Sequence, residues 1–322
     1  MTMRSWLPSF FAAMVPLAIV LGLSIPATAA LIVNDTWRDG NDTEPASPTY
    51  SENGTDTDAD GDLESVWYFG GTTTLDPVGP GGPLRSTTSG ANSASWTTYF
   101  TPEGSEVNLA QGQKLKLTWV FTPTGVNASN TSQGFRFALV DTPTSGSRVS
   151  GNNASPGSAA YTGYAIFANM GATLGNSSPF QLRERVVASG AFLGTANQWG
   201  ANGVADTGLA NGATSGNTGY VNGTQYTLTM MLERTVLDQL QVDVTMAGGN
   251  LNNSGSASVS YLDTTPNGFK YDTFGIRPSG DTTSATQFDT SLFRVELVPE
   301  PASLSLIGLA GLGLCLVGRR RS

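Results

Sequence analysis

Between Lys114 and Phe121 every second residue is large and apolar: Leu115, Leu117, Trp119 and Phe121. The same period of two returns in Phe135, Phe137 and Leu139, then in Tyr164, Ile166, Ala168 and Met170. It recurs in Tyr226, Leu228, Met230 and Leu232 and in Leu240, Val242, Val244 and Met246, and closes with Phe269 and Tyr271, then Phe293, Val295 and Leu297. Successive side chains of a strand point to opposite faces, so this pattern suits half-buried antiparallel strands and not a helix of period 3.6. Clusters of Gly, Asn, Ser and Pro at 150–158, 201–218 and 248–255 separate the runs and supply turns. No helical stripe competes within the body. Residues 181–189 suit a short helix or a strand, and the Asn-rich stretch 191–223 reads as a long loop or a hairpin excursion. The expected fold is all-β, a two-sheet antiparallel β-sandwich.

The ends of the chain carry a different pattern. Arg4 is the only charge in the first 30 residues; an apolar run from Phe10 to Ile25 follows, then Pro26-Ala27-Thr28-Ala29-Ala30. That is a basic region, a hydrophobic region and a small-residue cleavage site, so residues 1–29 are expected to be a helical signal peptide cleaved before Ala30. Export then involves the Sec translocon and signal peptidase. At the other end, Pro299-Glu300-Pro301 precedes an uncharged apolar run, Leu304 to Val317, and Arg319-Arg320-Arg321. As a helix, 302–318 spans roughly 25 Å, near the ~30 Å hydrocarbon core of a bilayer. The arginines would stay on the cytoplasmic side.

This tail, residues 298–322, resembles the PEP-CTERM sorting signal of Gram-negative bacteria. The resemblance implies recognition of Pro299, Glu300 and Pro301 by an exosortase, transient anchoring in the inner membrane, and delivery to the cell surface or an extracellular matrix. The spacing of the strands in 30–297 resembles the jelly rolls of concanavalin-like lectin and glucanase sandwiches, an architectural resemblance.

Composition narrows the chemistry. Setting aside Arg4, Arg319, Arg320, Arg321 and Glu300 takes the formal charge from -9 to -12 for the body. So acidic a surface is a poor partner for nucleic acid. The only cysteine, Cys315, lies in the tail, and there is no histidine. A Ser-His-Asp or Cys-His mechanism and a His-ligated zinc site are therefore excluded, and the body has no disulfide. Carboxylate chemistry stays open.

Five carboxylates fall within nine residues: Asp56, Asp58, Asp60, Asp62 and Glu64, with Gly61 at the sixth position. Side chains at positions one, three and five with a Gly at six match the first half of a calcium loop. Trp67 stands where an EF-hand places its bidentate Glu, so Asp62, Glu64 or another strand would complete the shell. The alternative is a solvated acidic turn. Trp37, Trp67, Tyr68 and Trp199 could serve as sugar-stacking platforms or, more simply, pack in the core. Among the nine Glu none sits in a compact Glu-x-Asp-x-x-Glu cluster. Glu184, between Arg183 and Arg185, is the best single candidate for a charged cleft, although a strand of ion pairs explains it too. The expected function is an exported, non-enzymatic envelope or exopolysaccharide-matrix protein, structural or glycan-binding. The alternative is a carbohydrate-active lyase or hydrolase on the same fold.

Overall fold

The computed structural model describes residues 28–42, 50–90, 94–143, 145–154, 160–187, 192–194 and 198–299. The protein is an all-β, two-sheet antiparallel sandwich. In the first sheet, β16 (Ser256–Asp263), β15 (Leu240–Ala247), β14 (Tyr226–Arg234), β7 (Lys114–Thr124), β19 (Gln287–Val298), β4 (Leu84–Thr88) and β3 (Thr73–Pro77) lie in that order. In the second the order is β12 (Val204–Ala205), β11 (Trp199–Ala201), β10 (Phe180–Arg185), β9 (Thr162–Ala168), β8 (Phe135–Asp141), β18 (Thr273–Ser279), β5 (Ala94–Tyr99) and β2 (Trp67–Gly70). β13 (Ala210–Asn211) pairs with β10, and β6 (Val107–Asn108) pairs with β17 (Lys270–Tyr271). The expected signal and membrane helices lie outside the described residues. Among the described residues no helix is long and apolar enough to cross a membrane.

The residues picked out by alternation face inward as one core. Leu115, Leu117, Trp119 and Phe121 meet Phe135 and Phe137 from the opposite sheet, all fully buried. Trp119 stacks on Phe121 with centroids 4.1 Å apart, and its indole N–H donates to Thr290 Oγ1 at 3.0 Å, so the buried donor is satisfied.

β19 explains an oddity of the sequence. Its inward residues are Phe288 and Thr290, then Phe293 and Val295, a change of parity. The pairing with β7 slips between Thr290 and Leu292, a bulge that leaves Ser291 exposed and restores the inward direction. Across this bulge the strand changes partner on its other edge. Residues Gln287–Thr290 pair with β4, and Phe293–Leu297 pair with β1 (Ala30–Asp35). Ala30 sits opposite Leu297.

The outer faces of the two sheets differ. Lys116, Thr118, Thr229 and Asp243 on the first sheet are only partly buried. The second sheet is covered by its own connections. Tyr161, Phe192, Leu193 and Trp199 pack on Ala138, Val140, Ala165 and Phe167 in a second apolar cluster. Gly275 makes room for this cover: a Cβ there would stand 2.1 Å from the Phe192 ring. Residues 180–185 form a strand, and the Asn-rich stretch after them makes the short strands β11, β12 and β13 around β10.

Candidate functional site

The acidic run lies in the excursion between β1 and β2, where Asn34 pairs with Leu63 and Ser51 with Ser65 in isolated bridges. Asp62 anchors it. Its Oδ2 accepts from the Thr36 N–H at 2.9 Å, the Thr36 hydroxyl at 2.7 Å and the Arg38 N–H at 3.2 Å. Asp62 is 3% exposed and committed to the turn after β1, so it is a structural carboxylate. Asp35 plays the matching role on the other side. It accepts from the Trp37 N–H and from the N–H and hydroxyl of Ser65, each at 3.0 Å, and burial pushes its carboxyl up to about 7.

The other carboxylates organise the loop tip. Asp56 accepts from the N–H groups of Ala59 and Gly61 at 2.7 and 3.0 Å. Gly61 holds φ at +93°, a region open to glycine. Asp58 Oδ1 accepts from the Asp60 N–H at 3.1 Å, and Asp60 Oδ1 from the Asp62 N–H at 2.7 Å. Glu52, from outside the run, accepts from the Thr57 N–H, the Thr57 hydroxyl and the Glu64 N–H.

Two triads of carboxylates result. One oxygen each of Asp39, Asp60 and Glu64 lie within 4.8 Å of one another, as do those of Glu52, Asp56 and Asp58. Glu64 is 3% exposed, and its Oε1 has no hydrogen-bond partner; Asp60 Oδ2 is buried and also without one. Burial, then the contact with Glu52, pushes the Glu64 carboxyl up to about 9. Sequence reasoning reached Asp60 and Glu64 through their spacing. It missed Asp39, just beyond β1, whose Asn34 bridges Leu63, and Glu52, which the Ser51–Ser65 bridge within the excursion brings in.

The aromatic platforms are corrected. Trp37 and Trp199 are fully buried, Trp67 is 3% and Tyr68 8% exposed. Trp67 packs edge-on to Phe293, its indole N–H donating to Ser65 Oγ at 2.9 Å, and Trp199 donates to the Phe192 carbonyl at 2.9 Å. A sugar stacks on a whole ring face, which none of these rings turns to solvent, and they pack as hydrophobic mass.

A polar cleft of about 230 Å³ opens elsewhere, lined by Glu184, Arg185, Asn202, Gly203, Thr265 and Asn267. It lies where β10 of the second sheet passes β16 of the first. Phe180 and Leu182 point into the core, so by alternation Glu184 faces inward at the rim. Its carboxylate accepts from the Gly203 N–H at 3.3 Å, and burial, then the charge of Asp263, raises its pKa. Asp263 is 3% exposed and closed off, accepting from the Tyr164 hydroxyl at 2.5 Å and the Thr265 N–H at 2.8 Å.

Pro299 follows directly on β19; Glu300, Pro301, Arg319, Arg320 and Arg321 lie outside the described residues. Residues 297–321 match the PEP-CTERM protein-sorting motif, so the chain carries that motif at its C-terminus. No curated protein matches the chain by sequence. Its fold is similar to lectin-like, concanavalin-like sandwiches. The Emp47p carbohydrate recognition domain is 14% identical with a TM-score of 0.41, covering 71% of this chain and 87% of that one. The VIP36 exoplasmic/lumenal domain, in a Ca2+/Man2-bound form, is 13% identical with a TM-score of 0.43, covering 83% and 88%. An endo-1,3-beta-glucanase from Streptomyces sioyaensis is 12% identical with a TM-score of 0.39, covering 86% and 100%.

Proposed function

We propose that this is an exported, non-enzymatic component of the envelope or exopolysaccharide matrix of a Gram-negative bacterium, and that its body binds glycan. The observation that carries the reading is the junction at Val298. The last core strand runs to the sorting motif with no linker between them, and Ala30, the first residue expected after signal cleavage, pairs with Leu297. Processing at both ends would trim the chain beside one pair of strands and leave the core uncut. The motif directs the exported chain to an exosortase after passage through the Sec translocon. The inner membrane holds it until the tail is cut.

The cleft around Glu184 supports the glycan part. Its side chains offer the Glu184 carboxylate, the amides of Asn202 and Asn267 and the Thr265 hydroxyl, the mixture of acceptors and donors that hydroxyl groups require. Glycoside hydrolysis needs two accessible carboxyl groups flanking the bond. Here Asp263 is sealed by Tyr164 and Thr265, which leaves Glu184 alone.

The test is retention of the protein on purified exopolysaccharide. Glu184→Gln with Asn267→Ala should lower affinity about tenfold, as expected for two weakened hydrogen bonds of ~0.5–1.5 kcal/mol each. Glu300→Ala should accumulate unprocessed precursor. Protein free in the medium, with no affinity for any matrix fraction, would sink the reading. Shortening of the glycan that disappears in Glu184→Gln would move the protein to the hydrolases.

A further inference from the structure

We propose that Asp39, Asp60 and Glu64 hold one hard divalent cation of the calcium class, and that the neighbouring triad of Glu52, Asp56 and Asp58 does not. The site goes beyond the glycan-binding reading and stands without it. It also differs from a loop that wraps its own ion. Asp39 follows β1, Glu64 precedes β2, and the ion would join them through Asp60.

The geometry fits a shared ion. Oxygens on a shell of ~2.3–2.6 Å around calcium can be at most about 5 Å apart. The three carboxylates bring one oxygen each within 4.8 Å of the others.

The unmet bonding comes from Glu64. It is 3% exposed, yet Oε1 has no hydrogen-bond partner; Asp60 is only partly buried, but its Oδ2 is buried and also without one. Buried polar atoms are rarely left so, because each gives up its hydration for nothing. Two of them on adjacent members of one triad ask for a cation. Among the described residues no ion pair joins Asp39, Asp60 or Glu64 to Lys or Arg. The Arg38 side chain donates to the Asp60 main-chain carbonyl at 2.8 Å and not to its carboxylate.

The second triad is the internal control. Glu52 already accepts from Thr57 and from the Glu64 N–H, and both oxygens of Asp56 accept backbone N–H groups. Its carboxylates shape the loop through bonds they have already made. The identity of the ion follows from the donors. All are oxygens, and the body supplies neither His nor Cys, so zinc and other nitrogen- or sulfur-seeking metals are disfavoured. An irregular set of carboxylates from two segments suits the flexible six- to eight-fold shell of calcium better than the strict octahedron of magnesium.

The test is calorimetric titration of chelator-treated protein with CaCl2, with the thermal midpoint followed in parallel. One ion per chain and a rise in Tm are expected. Glu64→Gln and Asp39→Asn should each weaken binding by more than the ~10–100-fold typical of an outer-shell partner. Asp56→Asn and Asp58→Asn should leave the stoichiometry at one and the affinity little changed. Asp39 is only partly buried, so its variant keeps the test open if Glu64→Gln fails to fold. No heat and no Tm change with CaCl2 would overturn the proposal. Two ions per chain would overturn it too, as would loss of binding in Asp58→Asn with Asp39→Asn and Glu64→Gln unaffected.

Discussion

In the first sheet, β7, β14 and β15 alternate buried and partly buried residues along almost their whole length, whereas β8, β9 and β10 of the second are buried at nearly every position. Both sheets give one face to the same core. The difference lies on the other face, which is open to water in the first sheet and roofed in the second by Tyr161, Phe192, Leu193 and Trp199. A further cluster of Val66, Tyr68, Tyr99 and Val149 forms under Arg148. The second sheet is thus covered on its outer face by its own connections and by Trp199 of β11. A charged pair is buried beside it. Arg148 pairs with Asp272, both almost wholly buried, and also donates to the Thr101 carbonyl.

The largest expected effect tests the roof. Leu117→Asp on the inward face of the first sheet should unfold the protein, because a lone buried carboxylate costs several kcal/mol against a total of roughly 5–15. Ala165→Asp points the opposite way, outward from the second sheet, and should unfold it as well. Circular dichroism in a urea series reads both. A folded Ala165→Asp protein would mean that the second sheet is as open as the first.

Next in size is the buried ion pair. Asp272→Ala should cost about 3–5 kcal/mol, since it strands Arg148 without its counter-charge. Arg148→Met combined with Asp272→Leu should recover much of that loss. A double variant as unstable as the single one would show that the pair matters for packing more than for charge.

Phe192→Ala should cost about 3 kcal/mol, the low end for a buried Phe because its ring is capped only in part, 7% remaining exposed. Exposure of Trp199 to a fluorescence quencher should rise with it. An unchanged midpoint would remove Phe192 from the roof.

The smallest change sharpens the contrast from the open side. Lys116→Ser breaks a 3.1 Å contact with Glu296 on a half-exposed face and should shift stability by less than about 1 kcal/mol. Asp243→Ser should behave in the same way. A loss of several kcal/mol in either would mean that the first sheet also has a covered outer face.

The sequence alone determined whatever a local period can carry. A strand with one wet face must alternate, so β7, β14 and β15 were legible from their own residues, with Trp119 in the core. The sorting tail was legible too, because its three parts are contiguous. β18 was not: buried on both faces and interrupted by Gly275 and Pro278, it lacks alternation. β10 was ambiguous because Arg183, Glu184 and Arg185 look solvated yet are buried. Only the tertiary structure decided which Trp rings are hidden, since a platform and a core residue have the same composition. The acidic run divides in the same way. Its spacing announced a loop of carboxylates, but the bridges Asn34–Leu63 and Ser51–Ser65 decided that Asp62 closes a turn, that Asp39 and Glu52 join, and that Glu64 is left with an unmet oxygen. Spacing along a chain sets which oxygens can approach one another. Whether they do, and which donors reach them first, depends on segments brought together by strand pairing, and that is a property of the fold.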